Sequence, residues 1–101
     1  MKVMEKLYLV HCGFYDPELA GGIFESHVNH FVVATNVEDA KFKAKELDAY
    51  KSYRMHIDGI LEVNAVGGYR ISAERDLALH TSQSEILSHR HRELATNGKV
   101  I

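Results

Sequence analysis

Two short segments carry the residues best suited to chemistry, Glu25-Ser26-His27 and His56-Ile57-Asp58. Each sets a carboxylate and an imidazole two residues apart, and on a strand that spacing points both side chains to one face. If the two strand ends converge, the imidazoles and carboxylates could surround a divalent ion or activate a water. Each imidazole would then need its second nitrogen oriented by a neighbour. The spacing matches no established zinc signature. His and Asp are also common where strands begin, because they bond loop backbone, so structural hydrogen bonding is the plainer account of Glu25, His27, His56 and Asp58.

Other constellations are weaker. Seven histidines in 101 residues (His11, His27, His30, His56, His80, His89 and His91) invite a metal or pH-switch reading. Cys12 could be a nucleophile, but His11 beside it points to the opposite face of a strand, so His27 or His30 would have to act as its base. A lone cysteine ending an apolar strand is more simply a buried one. His27-x-x-His30 would pair ligands on a helix but separates them on a strand. Gly13, Gly21 and Gly22 around Pro17 match neither the P-loop nor the dinucleotide fingerprint and read as turn chemistry. Tyr50, Tyr53 and Tyr69 read as core-edge or interface residues, and His89-Arg90-His91-Arg92 as a solvated helix face.

These residues need elements to position them. Lys6 to Phe14 reads as a first strand and Ser26 to Thr35 as a second, with a loop of about a dozen residues between them. Phe31-Val32-Val33-Ala34 is apolar on both sides, which predicts a central strand covered on both faces. Thr35 or Asn36 reads as a helix N-cap, Thr35 with Glu38 making a capping box. Val37, Ala40, Ala44 and Leu47 then fall on one stripe of an amphipathic helix reaching about Tyr50. From His56 to Val63, Ile57, Leu61 and Val63 face one way and His56, Asp58 and Glu62 the other, with Ile60 interrupting the alternation. Tyr69 to Arg75 reads as the hairpin partner of that strand. Ser82 with Glu85 could cap a last helix carrying Ile86, Leu87 and Leu94 and stopping at Gly98.

The expected fold is therefore α+β: a four-stranded sheet in the order β-β-α-β-β, one helix on one face, and a C-terminal helix. Residues 1–76 would form one domain and residues 77–101 a helical extension packed on the same or a partner subunit. A sheet this small, with open edges, often hides them by dimerising, so a homodimer is expected.

Composition bounds the function. Apolar residues make up 46% and charged residues 26%, the balance of a globular domain. A net charge of -2 lacks the basic footprint that nucleic acid demands, so no nucleic-acid partner is expected. A single cysteine makes an internal disulfide impossible and suits a reducing compartment. Apolar runs fall far short of the roughly 20 residues that span a bilayer, and the first residues lack the features of a signal peptide. A cytoplasmic protein without a membrane partner is expected.

Several segments together carry a family likeness: Leu7-Tyr8-Leu9-Val10, Gly13, Gly22-Ile23-Phe24-Glu25-Ser26-His27, Phe31-Val32-Val33-Ala34, His56-Ile57-Asp58 and Gly68-Tyr69-Arg70-Ile71. In this order they resemble a small bacterial family known as domain of unknown function 1543. The resemblance covers about residues 6 to 74. It implies the domain limits and singles out Glu25, His27, His56 and Asp58, but it supplies no activity.

Two functions are weighed on these grounds. The first is a small non-enzymatic binding module, dimeric, presenting its sheet and the 13–26 loop to a protein or small molecule, with no cofactor. The alternative is a metal-dependent, hydrolase-like enzyme that uses the Glu25, His27, His56 and Asp58 cluster. The enzyme reading requires those side chains within about 5 Å of a shared point, a reach set by metal–ligand bond lengths.

Overall fold

A computed structural model describes residues 4–81, 84–87 and 89. The fold is α+β, and its sheet has three strands rather than four. The elements are β1 (Lys6–Tyr15), β2 (Glu25–Ala34), α1 (Val37–Lys45), α2 (Asp48–Ser52), β3 (His56–Glu62), and the short β4 (Ala65–Val66) and β5 (Tyr69–Arg70). Strand order is β2-β1-β3, antiparallel throughout.

The expected fourth strand is lost to its own turn. Gly67 and Gly68 both take positive φ, +54° and +86°. That is the conformation of the tightest two-residue hairpin loops, which pair the residues immediately flanking them. Tyr69 and Arg70 therefore pair with Val66 and Ala65, not with β3.

β2 lies at an edge, not at the centre. Its apolar run alternates: Val32 and Ala34 are buried, while Phe31 and Val33 are exposed. One face of the sheet is covered by α1, α2 and the segment leading into β3. Tyr8, Val10 and Cys12 of β1 pack there with Val32, Ala34, Ala40, Ala44 and Met55, and Phe14, Val28, Leu47, Tyr50, Ile57 and Ile60 close the rim of this core. The other face has no covering element among the described residues.

Of the two N-caps that the sequence offers, Thr35 and Asn36, the helix uses Asn36. Asn36 is the N-cap, its Oδ1 accepting the Asp39 amide at 2.8 Å. The Asp39 carboxylate reaches back to accept both the backbone amide and the hydroxyl of Thr35, at 3.0 and 3.3 Å. Thr35 and Glu38 thus give way to Asn36 and Asp39 in the capping arrangement. The Thr35 amide is the main cause that holds the Asp39 carboxyl below the usual carboxylate range, with Lys43 adding to it. Of the expected stripe, Ala40, Ala44 and Leu47 face the sheet while Val37, in the first turn, is exposed, and the helix breaks at Glu46–Leu47 before α2.

β3 carries a register shift against β1 between His11 and Cys12, which leaves Asp58 as an extra residue. A bulge of this kind reverses the alternation beyond it. Ile57 and Ile60 consequently both reach the core, while Leu61 stands exposed on the open side. This corrects the expected grouping of Ile57 with Leu61 and explains why Ile60 broke the pattern.

For the expected C-terminal helix, Ser82, Leu94 and Gly98 lie outside the described residues, as do Arg90, His91 and Arg92. Glu85, Ile86 and Leu87 are described, and they are not helical.

Candidate functional site

The open face of the sheet gathers its polar residues at one end. Gly13 of β1 pairs with His27 of β2 on one side and with His56 of β3 on the other. Residues two apart share a face, so Glu25 joins His27, and Asp58 joins His56, above that glycine. The side chains meet. His56 Nε2 lies 2.9 Å from Glu25 Oε1 and 3.2 Å from Asp58 Oδ1. His27 Nε2 lies 3.3 Å from Glu25 Oε1 and 3.3 Å from Asp58 Oδ2.

Gly13 is the floor of this cluster. A Cβ built there would run into Glu25 Oε1 and would stand 2.6 Å from His56 Nε2 and 2.9 Å from Asp58 Oδ2. The donor atoms therefore converge over the one position of the central strand that lacks a side chain. Any other residue at position 13 would hold them apart. Gly13 has an ordinary extended backbone, so its role here is space rather than turn geometry.

One proton on each Nε2 cannot serve every contact as a separate linear hydrogen bond. A neutral imidazole has one N–H, and an ionised carboxylate has none. The two Nε2 atoms make four approaches to carboxylate oxygens, yet they bring at most two protons between them. The His56–Glu25 pair is aligned as a hydrogen bond. Donors bound about 2.0–2.2 Å from one ion stand about 2.8–3.6 Å from one another. The observed 2.9 to 3.3 Å separations fall within that range. With neutral imidazoles the group carries two negative charges from Glu25 and Asp58, which a divalent cation would balance. The side chains are 30% to 47% exposed, so the cluster is open to exchange with solvent.

Two residues missed by the sequence reading belong to this end of the sheet. His11, on the same face of β1, stacks on His27 with ring centroids 4.9 Å apart and planes 5° apart. Its Nδ1 is 2.7 Å from Asn29 Oδ1, across the pair that His11 and Asn29 form in the ladder. The signal that could have found them is parity: His11 and Gly13 on β1 match Glu25, His27 and Asn29 on β2, once the strands are aligned.

The remaining candidates fall elsewhere. Cys12 is fully buried on the helix side, where burial pushes its thiol up and the nearby Asp58 charge adds to that. It faces away from His11, as alternation requires. His30 also lies on the helix side, opposite Val10, with its Nε2 buried and without a hydrogen-bond partner among the described residues. In the loop after β1, Asp16 Oδ1 accepts the Glu18 amide, and Ala20, Gly21 and Gly22 take positive φ, which is turn geometry.

The molecule so defined is a small α+β domain with one helix-covered sheet face and one face, uncovered among the described residues, that bears a histidine–carboxylate cluster. Residues 23–73 match the family model described as Domain of Unknown Function (DUF1543), and the chain belongs to that family. The match takes in β2, both helices, β3 and the β4–β5 hairpin, and with them Glu25, His27, His56 and Asp58. Comparison with curated proteins and with solved structures gives no match. Among the described residues, no helix is long and apolar enough to cross a membrane.

Proposed function

We propose that this protein is a small binding module whose ligand is a divalent cation, held by His27, His56, Glu25 and Asp58. The observation that carries the reading is the closed circuit of Nε2–oxygen approaches, 2.9 to 3.3 Å long, over Gly13. The donor set of imidazole and carboxylate suits zinc and its borderline neighbours better than calcium or magnesium, which prefer all-oxygen surroundings. Four protein donors complete the tetrahedral shell of a zinc ion, and a hydrolytic centre would need one of them to give way to a water. The hydrolase-like alternative thus shares this site and differs in that bound water.

The test is a titration of chelator-stripped protein with Zn²⁺, followed by calorimetry and by thermal unfolding. Saturable binding with a rise in unfolding temperature is expected, and His27→Ala together with His56→Ala should abolish both. Absence of binding by Zn²⁺, Co²⁺, Ni²⁺ and Mn²⁺ alike would overturn the reading and return these residues to structural hydrogen bonding.

A homodimer is the second element of the proposal. Beyond the polar cluster the same open face carries Phe31, Val33 and Leu61, which are 52%, 38% and 63% exposed. Leu9 lies between Phe31 and Leu61 in the ladder, so these side chains form one apolar strip. A second copy laid on this strip would cover it. Light scattering on Phe31→Glu protein, expected to be monomeric if the wild type is a dimer, tests this. The single, buried Cys12 supports a reducing, cytoplasmic setting, and the family likeness supports a bacterial one.

A further inference from the structure

The polar end of the open face holds more donors than one ion uses, and they divide into two sets. One ligand atom each from Glu25, His56 and Asp58 lie within 4.8 Å of one another, and so do one each from His11, His27 and Asp58. Asp58 is common to both sets, and its two oxygens are already divided between them. Oδ1 is the one beside His56, and Oδ2 the one beside His27.

His11 is prepared as a ligand in a way that its distance alone does not convey. With Nδ1–H donating to Asn29 Oδ1 at 2.7 Å, the lone pair of the neutral ring is left on Nε2. That is the orientation that metal-bound imidazoles receive from a carbonyl or carboxylate partner. His11 stacks on His27 with ring planes 5° apart, which sets the two imidazoles side by side at the edge of the cluster. Gly59, which pairs with His11, has nothing within 4 Å of the place its Cβ would occupy. The side of the cluster next to His11 is therefore open, whereas the space over Gly13 is filled by the converging donors.

We infer that the site holds two divalent cations of the zinc-like class, one on Glu25, His56 and Asp58 Oδ1 and one on His11, His27 and Asp58 Oδ2, with Asp58 as the bridge. This rests on the cation reading above and extends it. The bulge on β3 leaves Asp58 without a ladder partner, between the Cys12–Ile57 and His11–Gly59 pairs. Its carboxylate, on the face it shares with His56, reaches both histidine-bearing positions. Carboxylate-bridged ions in such pairs stand about 3.5–4 Å apart and together hold a water or an oxyanion between them. The chemical class of ligand that this centre would take in addition is accordingly a small oxyanion, with inorganic phosphate as the simplest probe.

Stoichiometry decides the matter. Metal-stripped protein is loaded with Zn²⁺ and its bound ions counted by native mass spectrometry, with wild type, His11→Ala and His56→Ala compared. Circular dichroism confirms that each variant is folded, which the exposure of these side chains favours. Two ions on the wild type and one on each variant is the expected result. One ion on the wild type, unchanged in His11→Ala, would overturn the second position while leaving the single-cation reading intact. Two ions retained in His11→Ala would place the second ion elsewhere and also overturn it. No bound ion at all would remove both readings. As an independent readout, Mn²⁺-loaded wild type should give the exchange-broadened electron paramagnetic spectrum of a bridged pair, and His11→Ala the spectrum of isolated ions.

Discussion

The two faces of the sheet are made from alternate residues of the same strands, yet they obey different rules. On the covered face, Tyr8, Val10, Cys12, Val32 and Ala34 are at most 8% exposed, and nearly all are apolar. The one polar atom on Tyr8 reaches the rim, where its hydroxyl donates to Glu62 at 3.3 Å. On the open face, histidines and carboxylates crowd over a glycine at one end, and an apolar strip lies exposed at the other. Packing explains the first face apart from the buried Nε2 of His30, because α1 and the sheet exclude water between them. Packing explains nothing on the second, where close approach of like donors is retained without burial. The difference teaches that stability and chemistry are carried here by separate residue sets that touch only through the backbone.

That separation can be broken experimentally, and the largest effect is expected at the cluster. Replacing His56 with Ala should weaken Zn²⁺ binding by about a hundredfold or more, roughly 2.7 kcal/mol, with the melting temperature of metal-free protein unchanged. Gly13→Ala should approach the same loss without removing any ligand, since its Cβ would occupy the place where Glu25, His56 and Asp58 converge. Calorimetric affinities for both variants check this. If Gly13→Ala binds like wild type, the glycine is not the floor of the site.

The converse change belongs to the covered face. Val10→Ala should cost about 2 kcal/mol of stability and lower the unfolding midpoint by roughly 10 °C, while leaving the cation affinity as it was. Smaller again is the effect of Asn29→Ala. Loss of the partner to His11 should weaken the second ion by about tenfold and leave the first untouched. Two-site calorimetric fits would separate these terms.

The smallest effect concerns alkaline pH. Burial is the first cause that raises the Cys12 thiol and the Tyr8 and Tyr50 phenols. In each case the folded protein holds its proton longer than the unfolded chain does. The stabilisation is therefore fully present below the unfolded thiol's value, about 8.5, and is lost as pH rises through the folded one. Urea midpoints measured from pH 7 to pH 10 should fall, and Cys12→Ala should flatten the first part of that decline. For the same reason iodoacetamide should modify Cys12 slowly until the protein is unfolded.

Much of this arrangement is legible in the sequence. The first two strands, the stripe of Ala40, Ala44 and Leu47, and the shared face of Glu25 with His27 and of His56 with Asp58 all follow from periods of two and of about 3.6 residues. The failures have equally local causes. The Thr35–Glu38 capping box did not form because Asn36, the other cap the sequence offered, supplies the acceptor and Asp39 takes the Thr35 amide and hydroxyl. The fourth strand failed because Gly67-Gly68 fixed the hairpin on its nearest neighbours. The central position expected for β2 came from reading Phe31 and Val33 as buried, when an apolar run alone does not say which faces are covered.

By itself, then, the sequence determined which residues share a face within each strand, where the helix lies, and that two imidazole–carboxylate pairs stand at strand entrances. Only the tertiary structure decided that both pairs meet, that they meet over Gly13, and that His11 joins them. The reason is physical. Alternation fixes a side chain's direction from its own strand's backbone, but distance between strands depends on register. Here register places Gly13 opposite His27 and His56 at once, and the Asp58 carboxylate reaches both histidines from the bulge.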